Sequence, residues 1–120
     1  MPIQSYRDLE AWKIGMNLVV AIYGLTKRFP REELYGLTSQ LRRAAVSIPS
    51  NIGEGHQQGT KSYAHFVSLA LGSLAEAETQ LEVATRLRYV DAEHIAPVTA
   101  LAGELGRVLH GLRRSLQARS

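Results

Sequence analysis

Ser39-Gln40-Leu41-Arg42-Arg43-Ala44-Ala45-Val46-Ser47-Ile48-Pro49-Ser50-Asn51-Ile52-Gly53-Glu54-Gly55 is the stretch on which the fold turns. Leu41, Ala45, Ile48 and Ile52 recur at steps of four, three and four, the period of a helix. Gln40, Arg43, Ser47, Ser50, Asn51 and Glu54 form a second stripe on that helix. Pro49 stands in its middle. A proline there removes a backbone donor and crowds the carbonyl of Ala45, at a cost of ~3 kcal/mol. A helix that keeps it is expected to be held by neighbours on several sides, which points to an oligomeric all-helical protein.

Working outward, four helical segments emerge, at roughly 8–29, 33–55, 61–89 and 92–117. Asp8 is a good N-cap for the first, and Pro30 stops it. That segment carries two apolar stripes. Leu9, Trp12, Met16, Val19 and Tyr23 make one; Ile14, Leu18, Ile22, Leu25 and Phe29 make the other. A surface helix of a lone bundle needs only one, so the second stripe, Ile14, Leu18, Ile22 and Leu25, is read as a subunit interface. Gly53 to Lys61, with three glycines, reads as a loop closing the second segment, and Thr60 or Ser62 caps the third. Tyr63, Phe66 or Val67, Ala70, Leu74, Ala77, Leu81 and Ala84 form the third segment's core stripe. Asp91 caps the fourth, where Val98, Leu101, Leu105, Val108, Leu112 and Leu116 repeat at three and four. Short connections imply an antiparallel up-down-up-down four-helix bundle over residues 1–120, a single domain.

Composition narrows the function. The chain of 120 residues has no cysteine, so thiolate metal sites and disulfides are excluded. Its start lacks a basic leader followed by an apolar run. The longest apolar run, Ile14 to Leu25, is shorter than the ~20 residues a bilayer requires. A cytoplasmic protein with no membrane partner is expected. The net charge of +3 is unevenly spread. Arg107, Arg113, Arg114 and Arg119 follow the last acid, Glu104, so the basic excess lies at the end of the fourth segment. There, Arg107, His110, Arg113 and Arg114 are the candidate nucleic-acid contacts. The fourth segment has no aromatic residue for base stacking, so any contact is with phosphates, independent of sequence and sensitive to salt.

The remaining polar residues point to structure rather than catalysis. Gln40, Arg43, Ser47, Asn51 and Glu54, with Ser73, Glu76 and Gln80 facing them, form a polar cluster that is read as setting helix register or subunit contacts, the alternative being contact with a ligand. Arg43 suits a bidentate pair with Glu76 better than with Glu54, three turns away on its own helix. Arg43 is therefore expected to matter more to stability than Arg42. Di-metal bundles need Glu-x-x-His pairs on facing helices, and the chain has none. His56 and His65 flank the glycine loop, but solvated or core histidines are the commoner case. Ser47, Ser50 and Ser73 lack a histidine at a plausible position. No catalytic residue, metal or cofactor is expected, and the protein is read as a non-enzyme.

Leu34-Tyr35-Gly36-Leu37-Thr38-Ser39-Gln40-Leu41-Arg42-Arg43-Ala44-Ala45 and Val46-Ser47-Ile48-Pro49-Ser50-Asn51-Ile52-Gly53-Glu54-Gly55 resemble the 23S rRNA-intervening-sequence four-helix-bundle proteins. Leu71-Gly72-Ser73-Leu74-Ala75-Glu76 followed by Glu78-Thr79-Gln80-Leu81, and the opening Tyr6-Arg7-Asp8-Leu9-Glu10-Ala11-Trp12, are similar to further signatures of that family. The resemblance implies a homopentamer around a central channel. It also relates the chain to accessory proteins of diversity-generating retroelements, which bind nucleic acid and contact a reverse transcriptase. The expected partners are copies of itself, RNA or DNA, and a nucleic-acid-processing protein. The alternative is a protein–protein scaffold or assembly adaptor that binds no nucleic acid. His56-Gln57-Gln58 and Leu71 stand where many relatives carry a cation, which removes positive charge from those two surfaces.

Overall fold

Residues 6–119, which the computed structural model describes, form four α-helices and one 3-10 turn, with no strand among them. Helix α1 spans Tyr6–Thr26, α2 Leu37–Gln58, α3 Thr60–Arg86 and α4 Ala92–Arg119, and the 3-10 turn is Arg31–Glu33. The segment preceding Tyr6, read above for a leader, lies outside the described residues. Helices α1 and α3 each pack against both α2 and α4. The four axes therefore surround one core, whose walls are the stripes Leu41, Ala45, Ile48, Ile52 of α2 and Tyr63, Val67, Ala70, Leu74, Ala77, Leu81, Ala84 of α3. Val98, Leu105, Leu112 and Leu116 of α4 are buried with Ala102 and Leu109.

Pro49 lies inside α2 and is buried. It meets α1 at Gly15, where an added Cβ would stand 3.5 Å from the Pro49 Cβ. The glycine thus lets α1 come down onto the proline ring. Three side chains hydrogen-bond backbone carbonyls around the interruption. Ser47 Oγ donates to Ala44 O at 2.9 Å, Ser50 Oγ to Val46 O at 2.8 Å and Asn51 Nδ2 to Ser47 O at 2.8 Å. They bracket the Ala45 carbonyl that proline leaves without its helical donor.

Several boundaries differ from the sequence reading. Helix α1 contains Asp8 rather than starting after it, and ends at Thr26 instead of Phe29. Thr26 Oγ1 donates to Ile22 O at 2.8 Å and accepts from Arg42 Nε at 2.8 Å, while Phe29 leaves the helix before Pro30. The expected glycine loop is helix as far as Gln58. Gly55 is helical because it sits where α2 and α3 touch: a Cβ there would lie 2.7 Å from Phe66 Cβ and 2.8 Å from Tyr63 Cδ1. Close approach outweighs the ~1 kcal/mol that a mid-helix glycine costs. Only Gly59, with φ of +95°, separates α2 from α3. It also occupies the N-cap position expected for Thr60 or Ser62, and no side chain caps α3.

At the other end, α3 closes with two reverse bonds, Arg88 N to Thr85 O and Tyr89 N to Ala84 O, both 3.0 Å. This is a Schellman closure with Arg88, at φ 63°, in the left-handed position glycine usually takes. Glu33 ties the two turns of this end together. Its Oε1 accepts from Leu37 N at 3.0 Å, capping α2, and its Oε2 accepts from the Tyr89 hydroxyl at 2.7 Å. The Leu37 amide, then the phenol, hold the Glu33 carboxyl below its ordinary value of 4.5. The Glu33 carboxylate in turn raises the Tyr89 phenol. Asp91 caps α4 as read, accepting from His94 N at 2.9 Å, and that bond foremost lowers its carboxyl.

Candidate functional site

The first surface is apolar, and it is the opposite stripe of α1 from the one expected. Ile14, Leu18, Ile22 and Leu25 are buried in the protomer's own core and are not available to another molecule. They share their side of the helix with Ala11 and Gly15, both buried, and these small residues let α1 approach its neighbours closely. The stripe left outside is Leu9, Trp12, Met16 and Tyr23, each about two-fifths exposed, with Val20 70 % exposed beside it. Trp12, Met16 and Val19 continue across a furrow to Val46, Pro49 and Ser50 of α2. Leu9 and Trp12 also edge a small pocket of about 180 Å³ with Ile52, Gly53, His56, Gln57 and Tyr63. The outcome is one continuous greasy flank along α1 and α2.

The polar cluster assembles only in part. Gln40, Arg43, Ala44, Ser47 and Glu76 line one depression of about 280 Å³ between α2 and α3, but Asn51, Glu54 and Ser73 do not. The expected Arg43–Glu76 pair is not made, nor is Arg43–Glu54. The ion pairs among the described residues are Arg86–Glu82 and His94–Asp91. Ser47 and Asn51 spend their donors on the carbonyls of α2 itself. Gln80 is buried, with its Oε1 unpaired among the described residues. The arginine that binds its surroundings is Arg42, one residue earlier. Besides its bond to Thr26, its guanidinium lies 4.6 Å from the centre of the Tyr23 ring.

The second surface is basic. Arg107, His110 and Arg114 recur at three and four along α4 and line a groove of about 640 Å³ with Glu78 of α3, floored by Ala102, Gly103 and Gly106. Arg113 stands beside it, its Nη2 3.2 Å from His110 Nδ1. A guanidinium only donates, so that ring nitrogen accepts. Sequence reading named all four of these residues as contacts but met Glu78 only in a family signature, because a carboxylate twenty-nine residues before Arg107 carries no spacing signal that would place it opposite. Among the described residues no group of three or more His, Asp or Glu side chains is placed to hold a metal. His56 and His65 instead set their rings edge-on to Tyr63 and Phe66, at 5.7 Å and 5.6 Å. No helix among them is long and apolar enough to cross a membrane.

Residues 7–111 match the family model described as 23S rRNA-intervening sequence protein. Among solved structures, the chain is similar to a protein of unknown function from the S23 ribosomal protein family of Bacteroides thetaiotaomicron. The two share 24 % identity and a TM-score of 0.82, covering 90 % of this chain and 98 % of that one. At that identity the likeness speaks for the four-helix fold alone. No curated protein matches the chain significantly.

Proposed function

The chain belongs to the 23S rRNA-intervening sequence protein family, and from that premise we propose that it is a non-enzymatic, self-assembling bundle that holds nucleic acid by its phosphates. The observation that carries this reading is the alignment of Arg107, His110 and Arg114 along one groove of α4. Guanidinium groups at that spacing suit successive phosphates, and no aromatic residue on α4 offers base stacking. The helices are read as antiparallel, up-down-up-down. Gly15 meeting Pro49 and Thr26 meeting Arg42, in opposite order along α1 and α2, support that direction of packing for this pair.

Self-assembly rests on the α1–α2 flank. Contiguous exposed apolar area of this kind marks an interaction surface, and a ring of copies, a pentamer on the family resemblance, would cover it. Copies would also multiply a modest cationic groove into a collar, raising avidity without new contacts. A cytoplasmic setting accords with this reading. The nucleic-acid-processing partner, a reverse transcriptase in the retroelement analogy, belongs to the same proposal.

The test is binding of labelled single- and double-stranded RNA and DNA across a salt series. Affinity is expected to fall steeply with salt, and to be lost when Arg107, Arg113 and Arg114 are all changed to glutamine. No binding at low salt overturns the proposal. A second reading, a protein scaffold without nucleic acid, is favoured by Glu78, whose charge offsets the groove. Under it, the native protein ignores nucleic acid, while Trp12→Glu with Met16→Glu still reduces the assembly's mass by light scattering.

A further inference from the structure

Glu78 is the residue of the basic groove that phosphate binding alone does not use. It shares the groove with Arg107, His110 and Arg114, yet it makes no ion pair with any of them. The groove is therefore wide enough to keep an acid and three bases apart. Arg107 and Arg114 stand seven residues, ~10 Å, apart along α4, and Glu78 looks across from α3. Gly103 and Gly106 lie at the Arg107 end of the groove, where a Cβ at Gly103 would stand 3.6 Å from Arg107 Nη1. Glu78 also edges a second depression, with Leu81, Glu82, Thr85, Ile95 and Thr99, so the groove continues past it along α3 and α4. The groove, about 640 Å³ and open to solvent, gives a nucleotide a face to lie against rather than a cavity that encloses it.

We propose that this groove seats one unstacked nucleotide of a single strand, its phosphates on Arg107 and Arg114 and its base edge on Glu78. The inference rests on the phosphate-binding reading above and adds one base contact to an otherwise sequence-independent grip. A carboxylate only accepts hydrogen bonds. It therefore selects bases that present donors and repels those that present carbonyl oxygens. Guanine offers two adjacent donors, N1–H and the N2 amino group, which match the two carboxylate oxygens. Cytosine and adenine offer one amino group each. Uracil and thymine offer one N–H flanked by two carbonyl oxygens, the poorest match. A base inside a duplex has its donors committed to its partner, so a single strand is preferred.

The experiment uses the full chain and short unstructured oligonucleotides: an all-uridine strand and the same strand with isolated guanosines, followed by fluorescence anisotropy at fixed salt. The guanosine strand is expected to bind about fivefold or more tightly, the lower end of what a bidentate base contact discriminates. In Glu78→Gln that preference disappears and the all-uridine strand binds more tightly than to the parent, because a repelling charge is gone. Glu78 is exposed, so the variant is expected to melt with the parent. Equal binding of both strands by the parent overturns this inference while leaving the phosphate reading intact. So does a guanosine preference that survives Glu78→Gln. Failure of both strands to bind at low salt removes both readings.

Discussion

Two glycines in one helix turn should respond to alanine with opposite signs. Gly55 lies at the contact of α2 with α3, where a Cβ would come within 2.7 Å of Phe66 Cβ and 2.8 Å of Tyr63 Cδ1. Phe66 Cβ is fixed to its backbone, so no rotamer change relieves it, and the helices must part by several tenths of an ångström. Gly59 joins them only four residues on, which leaves little slack for parting. Overpacking of this kind costs ~1–3 kcal/mol, and two approaches below 3.0 Å put this site in the upper half of that range; less ~1 kcal/mol of helix propensity, Gly55→Ala is expected to lose about 1–2 kcal/mol. For 120 residues the unfolding entropy is about 0.25 kcal/mol per kelvin, so Tm falls by roughly 4–8 °C. Gly53 has no heavy atom within 4 Å of its would-be Cβ. Gly53→Ala should gain ~1 kcal/mol and raise Tm by about 4 °C. Thermal melts of both variants at one protein concentration decide it. A Gly55→Ala protein that melts with or above the parent would refute the close approach as the reason glycine stands there.

Arg88→Gly removes the cost of a left-handed side-chain-bearing residue, ~1–2 kcal/mol, against the greater freedom of glycine in the unfolded chain. A net gain of about 0.5–1 kcal/mol is expected in urea unfolding, and a loss would count against the Schellman closure. Glu33 is held below its ordinary 4.5 in the folded protein. A lowered carboxyl stabilises above its unfolded value and stops doing so as pH falls through its folded one. Glu33→Gln should therefore flatten the loss of stability below about pH 4.5 and, by removing the carboxylate that raises Tyr89, weaken the alkaline limb as well. Arg42→Ala should cost about 1–2 kcal/mol through the bond to Thr26 and the ring of Tyr23, whereas Arg43→Ala stays within about 0.5 kcal/mol in a monomeric reference state. Equal costs would contradict that division.

Much of the fold was legible because periodicity survives translation into packing. Leu41, Ala45, Ile48 and Ile52 are all buried, as their spacing demands, and Asp91 caps where its position says. The role of the α1 stripes was not legible, since two apolar stripes have the same period and size favours the wrong one. Trp12 and Met16 are larger than Ala11 and Gly15, yet the small residues lie on the inner side. Helix proximity, not side-chain bulk, decides which stripe turns inward. The same lesson covers Gly55: glycine reads as a turn former in sequence, but next to Tyr63 and Phe66 it marks where two helices nearly touch. The arginine pair missed by a single residue, Arg42 for Arg43, because one step on a helix is a rotation of ~100°. The basic groove was half legible. Its cations share one helix and one period, whereas Glu78 joins them only through the folding of α3 onto α4.

The single-residue joint at Gly59 also sets an order of events for the chain. With almost no loop to close, α2 and α3 zip together at little entropic expense. By contrast, α1 and α4 meet only when the two ends of the sequence find each other. The nucleus of folding is thus expected in the Gly55–Tyr63 hairpin, and the terminal helices dock onto it late. Truncating Ile52 or Val67 to alanine should slow refolding, while truncating Leu18 or Leu112 should chiefly hasten unfolding.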